Sequence, residues 1–157
     1  MRPWHLLSVV FLGGCVTQDV AQISHRARFA EYPENLLESV ESACSEPSDS
    51  FSRPDDQTIE CRTYLDPRET AVAIMAYEGT LDDLPRLVLQ FHVEPDEPGY
   101  LVQFDSYLNV PQKTGAPLRV FYRNPTVTHT VNKIMRVAGG VPEPIPVPGA
   151  ETAAPSE

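Results

Sequence analysis

Basic residues are scarce in this chain. Lys and Arg number 12 against 22 Asp and Glu, which gives a formal charge of −10. A phosphate backbone calls for a basic footprint, so the composition argues against nucleic acid as a partner. No apolar run reaches the roughly 20 residues that span a bilayer as a helix. Cysteine occurs three times, and no CxxC pair is present. There is no HExxH, no GxSxG elbow, no phosphate-cradling Gly-rich loop and no internal repeat. Zinc-peptidase, α/β-hydrolase and P-loop chemistry therefore lack their carriers. With 157 residues, the chain has room for one domain with a real core.

The amino terminus carries the clearest signal. Arg2 precedes a mostly apolar run from Leu6 to Leu12, which has the proportions of a secretory signal. Directly behind it stands Leu12-Gly13-Gly14-Cys15. This stretch resembles the lipobox of bacterial lipoprotein precursors, with Leu12 at the apolar position, Gly13 and Gly14 at the small ones and Cys15 as the lipidated residue. The resemblance covers about the first tenth of the chain and implies nothing about the fold of the rest. It implies cleavage after residue 14 and acylation of Cys15. More than one chain on Cys15 would anchor the protein stably, where a single chain holds weakly. Val16 stands where Asp signals inner-membrane retention in the Gram-negative members of the class. The resemblance thus implies the outer membrane, periplasmic face. Loss of Arg2 would take the charge to −11, and Trp4, the one tryptophan, would leave with it.

The remainder divides into a tether over residues 15–31, a domain over 32–140 and a Pro-rich disordered tail over 141–157. Ile23 or Phe29 is placed to dock the tether on the domain. Pro142, Pro144, Pro146 and Pro148 alternate in the tail, which denies helix and central strand alike. In the domain, Tyr32-Pro33-Glu34 opens a helix. Leu36, Leu37, Val40, Ala43 and Cys44 share one face of it, with Glu34, Glu38 and Glu41 opposite. Pro47 and the polar stretch Ser48–Asp56 end it. Ile59 to Leu65 alternates as a strand. Asp66-Pro67-Arg68-Glu69 reads either as a hairpin turn or as the N-cap, N1 and N3 of a helix. Ala71–Tyr77 is apolar on every side, and its short length before Gly79 favours a strand. Arg86–Glu94 and Gly99–Val110 form a hairpin around Pro95–Gly99. Leu118–Tyr122 adds a short edge strand. Asn124-Pro125 starts a second helix with Val127, Val131, Ile134 and Ala138 inward and Gly139 as its C-cap. The expected class is α+β: a small antiparallel sheet of three to five strands flanked by an N-terminal and a C-terminal helix.

Cys44 lies on the inward face of the first helix, and Cys61 shares a strand face with Ile59 and Leu65. Two thiols facing one core in an oxidising compartment are expected to pair. The bridge would tie down the polar link between them.

No catalytic, metal-ligating or cofactor-binding residue is assigned. His25, His92 and His129 share no ligand spacing, and Asp82-Asp83 and Asp96-Glu97 read as turns. The outward face of the hairpin is the candidate interaction surface. Gln90 and His92 would lie near Gln103, Asp105 and Tyr107, and Met75 would extend the patch if Ala71–Tyr77 joined the sheet. The chain thus reads as a non-catalytic outer-membrane lipoprotein. It would be an accessory or assembly subunit of an envelope complex, with a membrane anchor at Cys15 and a protein partner. The alternative is a small-ligand or cell-wall binding module, which predicts an apolar pocket with few polar groups.

Overall fold

The computed structural model describes residues 25–121 and 125–144. The expected signal peptide, Cys15, residues 16–24 of the tether, Asn124 and residues 145–157 of the tail lie outside them. The elements run β1 (His25–Phe29), α1 (Glu34–Ala43), β2 (Asp49–Asp55), β3 (Thr58–Tyr64), α2 (Pro67–Ala76), β4 (Arg86–Asp96), β5 (Gly99–Val110), β6 (Leu118–Phe121), α3 (Pro125–Val137) and β7 (Val141–Pro142). Among the described residues, no helix is long and apolar enough to cross a membrane.

The class is α+β with helices flanking one antiparallel sheet, but among the described residues the sheet has seven strands rather than three to five. Its order is β2-β3-β4-β5-β1-β7, and β6 pairs with β5 beyond β1. The twelve-residue β5 makes this possible. Its first half, Tyr100–Phe104, pairs with β1, and its second half, Tyr107–Val110, pairs with β6 along the same edge.

Three segments depart from expectation, each for a physical reason. His25–Phe29, placed in the tether, is a strand between β5 and β7. Its alternation buries His25, Ala27 and Phe29 and turns Arg26 and Arg28 outward. Arg28 then pairs with Asp96 and with Glu143, the latter at 2.9 Å. The polar stretch after α1 is also a strand, β2, an edge that pairs with β3 by backbone hydrogen bonds and buries little. Ala71–Tyr77 belongs to a helix. The Asp66 side chain accepts from the N–H groups of Arg68 (2.8 Å) and Glu69 (2.9 Å), and Pro67 occupies the first turn. This cap outweighs the shortness of the segment. At the carboxyl end, Val141-Pro142 extends the sheet by a short β7 rather than opening the tail.

One sheet face carries Ile59, Leu89, Phe91, Val93, Val102 and Phe104, and α1 and α3 lie over it. Leu36, Leu37, Val131 and Met135 complete this core with Ala27 and Phe29. α3 ends in a Schellman turn. Gly139 has φ 95°, its N–H donates to the Arg136 carbonyl, and Gly140 N–H donates to that of Met135. Cys44 and Cys61 are joined in a disulfide, which fixes the end of α1 to β3.

Candidate functional site

The opposite sheet face holds five of the six residues proposed for partner binding. Gln90 opposes Asp105 and His92 opposes Gln103 across β4 and β5, as the alternation requires. The structure gives them a different environment from the expected open surface. Asp105 and Tyr107 are buried, and so is Glu60 of β3, at 3% exposure. The polar groups satisfy one another. Glu60 accepts from Gln90 Nε2 at 2.9 Å and from Arg62 Nη2 at 2.6 Å. Thr58 Oγ1 meets His92 Nδ1 at 3.0 Å, and Gln103 Nε2 donates to Asp105 at 3.0 Å. The Tyr107 ring packs on Phe121 and lies under the Arg119 guanidinium. Burial, then the nearby Glu60 carboxylate, push the Tyr107 phenol up; Arg119 and Arg62 oppose this. A buried network of this kind specifies strand register. Its hydrogen-bonding capacity is largely used internally.

Met75 does not join that face. It sits on α2, outside the sheet, and is 83% exposed. Val72, Leu81 and Leu84 are exposed on the same helix and the loop after it.

The helix-covered face presents the other candidate. α1 packs over β3, whereas α3 packs over β1 and β7. β4 and β5 lie between. Three strand steps of about 4.8 Å put β3 and β1 about 14 Å apart, whereas close-packed helices sit about 8–10 Å apart. The helices therefore leave a groove of about 540 Å³ between them. Its floor is Leu87, Leu89, Phe91 and Phe104. Val40, Ala43 and the Cys44–Cys61 bridge form one wall, and Val127, Val131 and Ile134 the other. Ser39, Thr126 and Thr130 are its polar residues. Protein interiors seldom leave voids much larger than a water molecule, while ligand pockets run to about 300–1,000 Å³. In size and in its apolar lining the groove falls within the second range.

Sequence reasoning assigned Val40, Leu89, Phe91, Val127 and Val131 to a closed core. A hydrophobic stripe has the same pattern whether its partner touches it or stands a few ångströms off, so the pattern carried no signal for the gap. Cys44, Asp49 and Cys61 also cluster, with ligand atoms within 4.8 Å. The two sulfurs are bonded to each other and so are not the thiolates a metal would take.

No protein-family model matches the chain, and no curated protein or solved structure proved similar to it.

Proposed function

We propose that this chain is a membrane-anchored, non-catalytic lipoprotein whose domain binds an apolar ligand in the groove between α1 and α3. The observation that carries this reading is the groove itself: about 540 Å³ lined mainly by aliphatic and aromatic side chains and the disulfide, with no charged residue among the described ones. The lipobox-like Leu12-Gly13-Gly14-Cys15 supports the anchor and the periplasmic face of the outer membrane. An anchored domain meets membrane-derived apolar molecules at high effective concentration.

The direct test uses N-phenyl-1-naphthylamine, a neutral dye that fluoresces in apolar sites. The full chain carrying Cys15→Ser is expected to bind it saturably. Leu89→Trp, which fills the floor, is expected to abolish the signal while the chain stays folded. Absence of binding by the parent chain would sink the reading. Intact mass of the membrane fraction tests the anchor, and an unmodified Cys15 would remove it.

A second reading, an accessory subunit of an envelope complex, is favoured by α2. This helix buries Thr70 and Ala73 yet leaves Val72 and Met75 exposed, and Leu81 in the loop after it is exposed too. Exposed large apolar side chains suit protein contacts where they form a contiguous patch. Photocrosslinking from position 75 in cells, read by mass spectrometry, is expected to capture one discrete partner if this reading holds. A diffuse ladder would count against it.

A further inference from the structure

The groove between α1 and α3 does not end at its apolar chamber. A second cavity of about 520 Å³ continues it toward the start of α1 and the end of α3. The two share Ser39, Thr130 and Ile134, so they adjoin along the groove between the antiparallel helices. Its two ends differ in chemistry. The inner end is apolar and aromatic, over Phe91 and Phe104. The outer end adds Asn35 and Lys133 to Ser39 and Thr130.

Among the described residues, Lys133 is the single charged one lining either cavity. It is exposed, so its ammonium is free to reach a ligand at the mouth. The chain carries only two lysines, Lys113 and Lys133, and a net charge of −10. A lone cation at the polar mouth of an apolar groove is a complementary feature in a molecule that otherwise repels anions. Glu34 and Glu38 of α1 are exposed and line neither cavity. The width sets the other end of the ligand. The excess over close helix packing is about 5 Å, on the scale of one extended hydrocarbon chain.

We infer that the occupant is a single-chain amphiphile with an anionic head, its chain lying over Phe91 and Phe104 and its head against Lys133. This rests on the groove being a binding site, and it names the ligand class. A free fatty acid and an anionic lysophospholipid share this chemistry.

The test is displacement of the bound naphthylamine dye from the full chain carrying Cys15→Ser. Its competitors are palmitic acid, palmityl alcohol and palmitoyl lysophosphatidylglycerol. The acid is expected to displace the dye at about tenfold lower concentration than the alcohol, the scale of one charge-assisted contact. Lys133→Gln is expected to remove that advantage and leave dye and alcohol binding unchanged. Lys133 is exposed, so the variant folds. Competition by the acid alone identifies a free fatty acid, and stronger competition by the lysolipid identifies a membrane lipid product. Equal displacement by acid and alcohol, or indifference to Lys133→Gln, would overturn the inference while leaving the apolar site standing. Failure of the parent chain to bind the dye at all would instead remove the site.

Discussion

The rings of Phe91 and Phe104 meet across β4 and β5 with centroids 4.8 Å apart, and both line the floor of the helix-bounded groove. Phe104 is also flanked by the His25 ring on β1, at 6.1 Å. Phe91, Phe104 and His25 are thus a row of three rings from three adjacent strands, of which the first two line the floor. Removing the middle ring leaves a cavity that neither neighbour can close. Phe104→Ala is expected to cost about 3–5 kcal/mol, read as a lowered urea midpoint. Val127→Ala, at the half-buried groove wall, is expected to cost no more than about 1.5 kcal/mol because its loss opens onto existing space.

Cys44 and Cys61 are 17 residues apart in sequence, and their bridge joins α1 to the sheet. A closed loop of that size stabilises by about 3 kcal/mol in the chain-entropy account. The double variant Cys44→Ser, Cys61→Ser should therefore show a lower melting temperature, and reductant should lower that of the parent alone. Without reductant, neither residue should take up a thiol label in the native chain. Ready labelling would show that the bridge is not formed.

Burial holds the His25 imidazole below its ordinary value of 6.5, and the nearby Asp105 carboxylate opposes the shift only in part. A base with a lowered folded-state pKa favours the fold while it is neutral. Its contribution is complete above pH 6.5 and is lost as pH falls from there toward the lowered value. Denaturant midpoints should drop between pH 7.5 and pH 5. His25→Phe should flatten that slope. Asp55 is held below its usual 3.8, chiefly by the Thr58 side chain and then by the Gln57 N–H. Its contribution is lost only at lower pH, so the two windows separate.

Gly99 begins β5 directly beneath the chain that leaves β1. A Cβ there would stand 2.1 Å from the Phe29 carbonyl oxygen, a backbone atom with no rotamer to change. Gly99→Ala is expected to cost at least the 1–3 kcal/mol, roughly, of ordinary overpacking, with loss of β1 pairing seen as faster amide exchange at Ala27 and Phe29. Gly115→Ala has open space but a φ of 87°, so its cost should be smaller and purely conformational.

Where a single residue face decided the outcome, the sequence was readable. The β4–β5 hairpin, strand β3, the inward stripe of α1 and the facing cysteines all follow from alternation or helical spacing. The misreadings arose where backbone pairing or capping outweighed composition. β2 is polar because it is an edge strand, held by the β3 ladder with only Phe51 turned toward the core. β1 shows period two in His25, Ala27 and Phe29, but five residues beside a weakly patterned stretch gave the pattern little weight. α2 was settled by one aspartate side chain at Asp66. The polar sheet face was assembled correctly from Gln90, His92, Gln103, Asp105 and Tyr107. That Glu60 and Arg62 would consume its hydrogen bonds depends on register with β3, which no local pattern encodes. The groove was illegible for the same kind of reason, since its width comes from which strands each helix covers.

The position of β1 also orders the assembly of the molecule in time. Arg28 bonds to Asp96, 68 residues on, and to Glu143, 115 residues on. The strands from β2 to β5 are neighbours in sequence and can zip up one after another. β1 has to wait for both of its flanks, and long loops close slowly. A chain halted before Val141 would hold the finished meander and α3, but the outer edge of β1 at Ala27 and Arg28 would still be open. The sheet therefore has a built-in completion check, satisfied among the described strands only when β7 has emerged.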